Sequence, residues 1–258
     1  MNSIIESVAS SMDCDNPELV EYLPYILQDF KEIGACPSVI LDLVKRNTHN
    51  YPALKILDLG CGKGSVSIEL ARALNCFCHG IDAVEGFINE AKLFASEKGV
   101  SEQCIFETAD IRERTKDLKD YNVIVLASTG PLFGDYESTL KGVLPCLAKD
   151  GIVIMDDWYK IEHDDFVHPR LFEKSEILRQ AEAAGMLLSD EHIHEKSTEL
   201  GNSYSEEYEN LKKRCRELAQ IHPQKAEMFY SYVNKQKEEY QILKNNVICS
   251  ALVFTKKV

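Results

Sequence analysis

The stretch Lys55–Ala71, KILDLGCGKGSVSIELA, concentrates the residues of this chain best suited to holding a nucleotide-like ligand. An apolar run passes through Asp58. Three glycines follow at alternate positions, Gly60, Gly62 and Gly64, and a helical pattern begins immediately after them. A glycine turn between a strand and a helix lets backbone approach a ligand closely and aims N–H groups at it. Three ligand classes fit such a turn: a triphosphate, a dinucleotide, or a sulfonium nucleoside that carries no phosphate.

The triphosphate fails on spacing. A P-loop needs GxxxxGK followed by Ser or Thr, but Gly62-Lys63 is followed by Gly64, and Leu57 stands where the first glycine belongs. The dinucleotide fingerprint GxGxxG is met by Gly60 and Gly62, with the small Ser65 in the third place. Asp58 weighs against a pyrophosphate, because a carboxylate beside the loop repels it. The same carboxylate suits a ligand with positive charge, and S-adenosylmethionine, with its sulfonium and α-amino group, is one.

The elements that must position this loop are visible as alternating patterns. Short apolar runs read as strands near Leu54–Leu59, Phe77–Ile81, Ile105–Thr108, Val123–Ala127, Ile152–Met155, Met186–His194 and Val247–Phe254. Between them the apolar residues follow helical spacing. In Tyr136–Ala148 they are Leu140, Val143, Leu144 and Leu147, with Pro145 expected to shorten or kink the helix. Val84–Lys98 and Glu173–Ala184 read likewise, the second stopped by Gly185. Strands alternating with helices predict a mostly parallel sheet covered on both faces. Residues 1–50 read as an N-terminal helical cap and 51–196 as the core. Residues 197–246 read as a helical insertion, a lid split at Pro223, and 247–258 as the last strand.

Composition narrows the partners. The formal charge of −13 over 258 residues disfavours nucleic acid and anionic membranes. Nine scattered cysteines form no CxxC and stand at no zinc spacing, so no metal is expected, and reduced thiols are. The N-terminus lacks the charge and apolar core of a signal peptide, and no run is long enough to span a membrane. The expectation is a cytoplasmic protein.

The motifs taken in order resemble those of the class I S-adenosylmethionine-dependent methyltransferases. ILDLGCGKGSVSIELA is similar to the family's first motif, an acidic residue followed by GxGxG. CHGIDAVEGFINEAK ends its strand in Asp82, about 20 residues after Gly60, where an acidic side chain can bond both ribose hydroxyls. FETADIRE, the run from Tyr121 to Trp158 and the run from Leu171 to Ile193 continue the match, with Lys149-Asp150-Gly151 at the usual glycine turn. The resemblance implies an α/β, doubly wound, Rossmann-like seven-stranded sheet with an antiparallel last strand and a helical cap. It implies S-adenosylmethionine as cofactor. Gly60, Cys61 and Gly62 would approach its methionine part, with Asp58 orienting it. Asp82, with Ala83 beside it, would take the ribose. Ala109, Asp110 and Ile111 would line the adenine, and Ala127 and Ser128 would close the site near the sulfonium. The alternative reading of Asp110 is the N-cap of the next helix.

Methyl transfer is an in-line displacement that positioning alone can accelerate, so no catalytic motif is obligatory. The [DNS]PP[YF] stretch of amino-nitrogen methyltransferases is replaced by ASTGPLF. The Pro145-Cys146 pair lies in a helix and reads as core. Asp156 and Asp157 match one carboxylate position of magnesium-dependent enzymes, but Ser128 and Thr129 occupy the other. DDWYKIEHDDFVHPR, after the fifth strand, offers Trp158, Tyr159, His163 and His168 to an acceptor. The aromatics Tyr22, Tyr25, Tyr204, Phe229 and Tyr230 read as lid or as plain core. A small-molecule acceptor fits best. A non-catalytic S-adenosylmethionine-binding protein, a nicotinamide-dependent oxidoreductase and a nucleic-acid methyltransferase are the alternatives.

Overall fold

A computed structural model describes residues 3–161, 166, 168, 171–195 and 198–257. Among the described residues there are seven strands: β1 Lys55–Leu59, β2 Phe77–Asp82, β3 Cys104–Thr108, β4 Tyr121–Ala127, β5 Leu147–Lys160, β6 Met186–Ile193 and β7 Val247–Lys256. They make one sheet in the order β3-β2-β1-β4-β5-β7-β6. β1 pairs in parallel with β2 and β4, as do β2 with β3 and β4 with β5, while β7 runs antiparallel to β6. The helices are α1 Ile4–Ser11, α2 Leu23–Ile26, α3 Pro37–Asn47, α4 Ser65–Leu74, α5 Glu85–Glu97, α6 Ile111–Arg114, α7 Tyr136–Val143, α8 Lys174–Ala183, α9 Thr198–Ile221 and α10 Ala226–Asn245. The expected seven-stranded, doubly wound architecture is therefore present.

The sheet buries both faces because side chains alternate along each strand. Ile56, Val123, Val125 and Ile154 pack on one face beneath α3, α4 and α5. Leu57, Leu59, Ile124, Leu126 and Met155 pack on the other beneath α7 and α8. The strand order grows one way from β1 through β2 to β3 and the other way from β4. The crevice outside the carboxyl ends of β1 and β4 is thus a topological switch point, where open α/β sheets bind ligands.

Local chemistry sets the element ends. The carboxylate of Asp135 accepts the Ser138 N–H at 2.7 Å and caps α7. That helix stops at Val143, and Pro145 falls in the single 3₁₀ turn that follows, as its missing N–H requires. Gly185, at φ +79°, ends the segment after α8.

Two expectations need correction. Lys149-Asp150-Gly151 is not a turn between elements but a bulge inside β5, where residues 148–151 lie between the register pairs Tyr121↔Leu147 and Val123↔Ile152. Gly151 is needed there because a Cβ would meet Leu147 Cδ1 at 2.7 Å and the Asn122 carbonyl at 3.0 Å. β5 also runs on to Lys160, so Trp158 and Tyr159 are strand residues and not part of a loop. α3 packs onto the sheet core through Ile40, Leu41, Leu43 and Val44.

Residues 1–31 and 195–247 form a separate compact unit built from α1, α2, α9 and α10. Pro223 breaks α9 from α10, as its position requires. Leu211, Cys215 and Leu218 are buried here, with Leu19, Leu23 and Ile26. Phe229 is fully buried and meets Tyr22 edge-on, ring centroids 5.1 Å apart. Tyr25 and Tyr230 are exposed. Arg214 grips the Asp29 carboxylate with two donors at 2.6 and 2.8 Å. Phe229→Ala leaves a cavity at the centre of this unit and is expected to cost about 3–5 kcal/mol in urea unfolding.

Candidate functional site

The glycine turn is fastened to the end of β2 by its own backbone. The N–H groups of Gly60 and Cys61 both donate to the Ile81 carbonyl, at 2.8 and 3.1 Å. The Gly62 N–H donates to Asp82 Oδ2 at 2.9 Å, and the Val84 N–H to Oδ1 at 2.8 Å. The Asp82 carbonyl in turn accepts the Ala109 N–H at 3.0 Å, bringing the end of β3 alongside. Ala83 lies between these two anchoring points. The Asp82 carboxylate thus takes backbone N–H groups on both oxygens, Ala83 contributing besides Gly62 and Val84, and of its roughly four acceptor positions it keeps capacity for a ligand donor.

Asp58 sits in β1 on the face that carries Ile56, buried beneath the loop, and accepts from Ser67 Oγ of α4 at 2.7 Å. Burial pushes its carboxyl up to about 6, with the nearby Asp82 charge adding to the rise. Burial also raises Asp82, against the pull of the Val84 and Gly62 N–H groups. Lys63, buried on the same loop, gives its ammonium to Glu90 of α5 at 2.8 Å. Cys61 is buried, and its thiol is pushed well up, first by desolvation and then by Asp58 and Asp82. It therefore stays protonated and acts as packing, not as a nucleophile. The loop is thus a pair of desolvated carboxylates around backbone, an arrangement that attracts a cation.

The β4 side closes against it. Ala127 ends β4, and Ser128 turns away in a left-handed conformation, φ +55°, its N–H donating to the Asp156 carbonyl at 2.7 Å. A Cβ on Gly60 would lie 2.3 Å from Thr129 Cγ2, so glycine is what lets these two strand ends meet. A Cβ on Gly34 would strike Ser128 at 2.7 Å, and one on Gly62 would touch Ile33 Cδ1 at 3.7 Å. Ile33 and Gly34 thus border the loop and were missed in the sequence, and Thr129 was weighed there only at a metal position. Nothing around Ile33 and Gly34 forms a motif; an isolated glycine was the one signal.

At the β3 end, Ile111 is buried and Ala109 packs beside the same core. Asp110 is the N-cap of α6: it accepts the Arg112 N–H at 2.9 Å and two guanidinium donors at 3.0 and 2.7 Å. Those contacts hold its carboxyl below the usual range.

The expected acceptor segment divides. Tyr159 is core, its hydroxyl donating to Glu191 at 3.1 Å, because the strand continues through it. Trp158 is half-buried; its N–H donates to Asp157 Oδ1 at 2.9 Å. Asp157 also accepts from the Tyr136 hydroxyl at 3.2 Å. His168 stacks on Phe166, and His163 lies outside the described residues. Asp156 meets a residue the sequence reading left unused: His194, just past β6, at 2.8 Å. Its signal was the EHIHE alternation, which puts His192 and His194 on one strand face.

Asp58 makes a prediction about the protein without ligand. Its folded value near 6 stands above the ordinary value near 3.9, so its ionised form destabilises the fold. That penalty is absent below about pH 4 and complete above about pH 6. Asp58→Asn is expected to stabilise the protein at pH 8, by on the order of 1–3 kcal/mol, and to lose this advantage at pH 4. Urea unfolding of both proteins at the two pH values checks it.

The family model described as a methyltransferase domain matches residues 50–246. A ubiquinone biosynthesis O-methyltransferase of Shewanella sp. (strain ANA-3) is 26% identical over 125 residues, 48% of this chain and 52% of that protein. The match therefore spans about half the length of this curated relative. A methyltransferase of Geobacter sulfurreducens, solved with S-adenosyl-L-homocysteine, superposes with a TM-score of 0.74 at 16% identity, covering 92% of this chain and 98% of that one. One from Thiobacillus denitrificans, solved with the same ligand, gives 0.71 at 18% identity, covering 90% and 97%. The chain belongs to the methyltransferase-domain family and has the fold of the class I S-adenosylmethionine-dependent methyltransferases.

Proposed function

We propose that this chain transfers the methyl group of S-adenosylmethionine to a small organic acceptor. The observation that carries the reading is the pair of buried carboxylates, Asp58 and Asp82, set about the glycine loop at the switch point. A sulfonium nucleoside brings the positive charge those carboxylates lack and the ribose hydroxyls that Asp82 can still accept. A pyrophosphate would add negative charge to the same place. The solved relatives named above carry S-adenosyl-L-homocysteine, which supports the same ligand here.

The roles follow from position. The Gly60, Cys61 and Gly62 backbone faces the methionine part, with Asp58 attracting its α-ammonium. Asp82 and Ala83 hold the ribose. Ala109, Ile111 and the remaining lone pairs of Asp110 border the adenine. Ala127 and Ser128 stand nearest the sulfonium, from which the methyl leaves as the S–C electron pair returns to sulfur. The net charge of −13 suits a small acceptor better than nucleic acid, and the curated relative's name concerns a small molecule.

The test is calorimetric titration with S-adenosylmethionine, S-adenosylhomocysteine and NAD. Both sulfur ligands are expected to bind and NAD to give no heat. Asp82→Ala removes charged hydrogen bonds to the ribose and is expected to weaken binding about 10- to 100-fold. Binding of NAD alone, or of none of the three, overturns the reading. Gly60→Ala is expected to abolish binding, since the new methyl displaces Thr129. Affinity for S-adenosylmethionine is also expected to fall as pH drops below about 6, as Asp58 gains its proton, and to level off above it.

A further inference from the structure

The pair Asp156–His194 lies outside the cofactor loop yet adjoins it. Asp156 is the register partner of Ala127, and its carbonyl holds the Ser128 N–H. Its side chain points to the α3 side of the sheet, two residues on from Ile154. His194 faces the same side, since Asp190 on the same strand reaches Asn47 of α3 at 2.8 Å and alternate residues share a face. β5 and the residue just past β6 thus bring a carboxylate and an imidazole together, the carboxylate next to the β4 end assigned to the sulfonium.

The contact fixes the imidazole's chemistry. His194 Nε2 is 2.8 Å from Asp156 Oδ1. In the neutral ring the nitrogen facing a carboxylate carries the proton, so the Nδ1 lone pair is left as the base. His192 stands edge-on to the ring, centroids 5.3 Å apart, and the His194 N–H is tied to the Cys249 carbonyl at 2.9 Å. The carboxylate is deep, 6% exposed, while the imidazole is 18% exposed and can meet a ligand. Asp156 Oδ2 is buried with no hydrogen-bond partner among the described residues. Buried carboxylate oxygens are ordinarily hydrogen-bonded, so the open Oδ2 marks a polar position that packing alone does not explain.

We propose that His194, oriented by Asp156, is the general base for a hydroxyl acceptor, a reading that rests on the methyl-transfer function proposed above. Carboxylates, thiolates and tertiary amines offer a lone pair without help. A hydroxyl is a poor nucleophile until its proton leaves. As the acceptor oxygen forms its bond to the methyl carbon, the carbon–sulfur bond breaks with its electron pair passing to sulfur. The hydroxyl proton moves to His194 Nδ1. The products are a methyl ether, S-adenosylhomocysteine and an imidazolium paired with Asp156, which returns its proton to water.

The experiment measures methyl transfer from S-adenosylmethionine to catechol, 4-nitrocatechol, thiophenol and dimethylglycine, alongside S-adenosylhomocysteine calorimetry on every variant. Wild type is expected to methylate catechol. His194→Gln is expected to lower kcat on catechol about 100- to 10,000-fold with cofactor affinity unchanged. The loss is expected to shrink on 4-nitrocatechol, whose hydroxyl ionises more readily. Asp156→Asn is expected to follow the same pattern more weakly, and added imidazole to restore turnover in His194→Ala. Undiminished kcat on catechol in His194→Gln overturns the proposal, as do equal losses on the two catechols. A wild type that binds S-adenosylhomocysteine but methylates only thiophenol or dimethylglycine, or none of the four, also overturns it. Failure of wild type to bind S-adenosylhomocysteine overturns instead the cofactor reading beneath it.

Discussion

The bond from the Gly62 N–H to Asp82 Oδ2 is the interaction on which the site's geometry turns. It fixes the glycine loop of β1 to the end of β2, and it sets a desolvated carboxylate beside the loop. A surface carboxylate would have its charge screened and would select little. Here burial raises both Asp58 and Asp82, so the protein holds negative charge where charge is costly. A positively charged group placed beside them would offset that penalty, which is the electrostatic ground of the proposed ligand.

The close approach of β1 and β4 follows from the same economy of space. Thr129 rests where any side chain on residue 60 would stand, and Ser128 accepts a left-handed backbone to bond the Asp156 carbonyl. Ser128 in αL carries strain of order 1 kcal/mol, which the bond to β5 helps to hold. These contacts join the ends of five strands, β3 to β5 in sheet order, into one continuous rim. A rim built from backbone bonds tolerates varied side chains around it, which fits a relative matched at only 26% identity and folds matched at 16–18%.

The sheet was legible in the sequence because its signals are local. Each strand is an apolar run of period two or a fully buried run, and each helix carries its own period and stop residue, as Pro145 and Gly185 show. Asp58, Gly60, Gly62 and Asp82 were legible for the same reason: the loop's chemistry lies within one stretch and the next strand end. What was not legible is non-local. β5 passes through Lys149-Asp150-Gly151 because Asn122, on another strand, tolerates a bulge opposite it. Tyr159 is core because Glu191 and the β6–β7 edge take its hydroxyl, a partner no local pattern reveals. Ile33 and Gly34 reach the loop from a segment with no motif. His194 meets Asp156 across 38 positions of chain, joined through the sheet alone.

The sheet order itself separates the two tasks of the proposed reaction. An in-line displacement needs the nucleophile on the side of the methyl opposite to sulfur. The buried carboxylates Asp58 and Asp82 lie on β1 and β2, whereas Asp156 lies on β5 and His194 just past β6, with β4 between the two groups. A base on β2 would sit beside the leaving group and share its field with Asp58 and Asp82. His194, on the far side of β4, has a carboxylate of its own in Asp156. The doubly wound order, set by where the chain reverses at β1 and β4, is what makes that separation available.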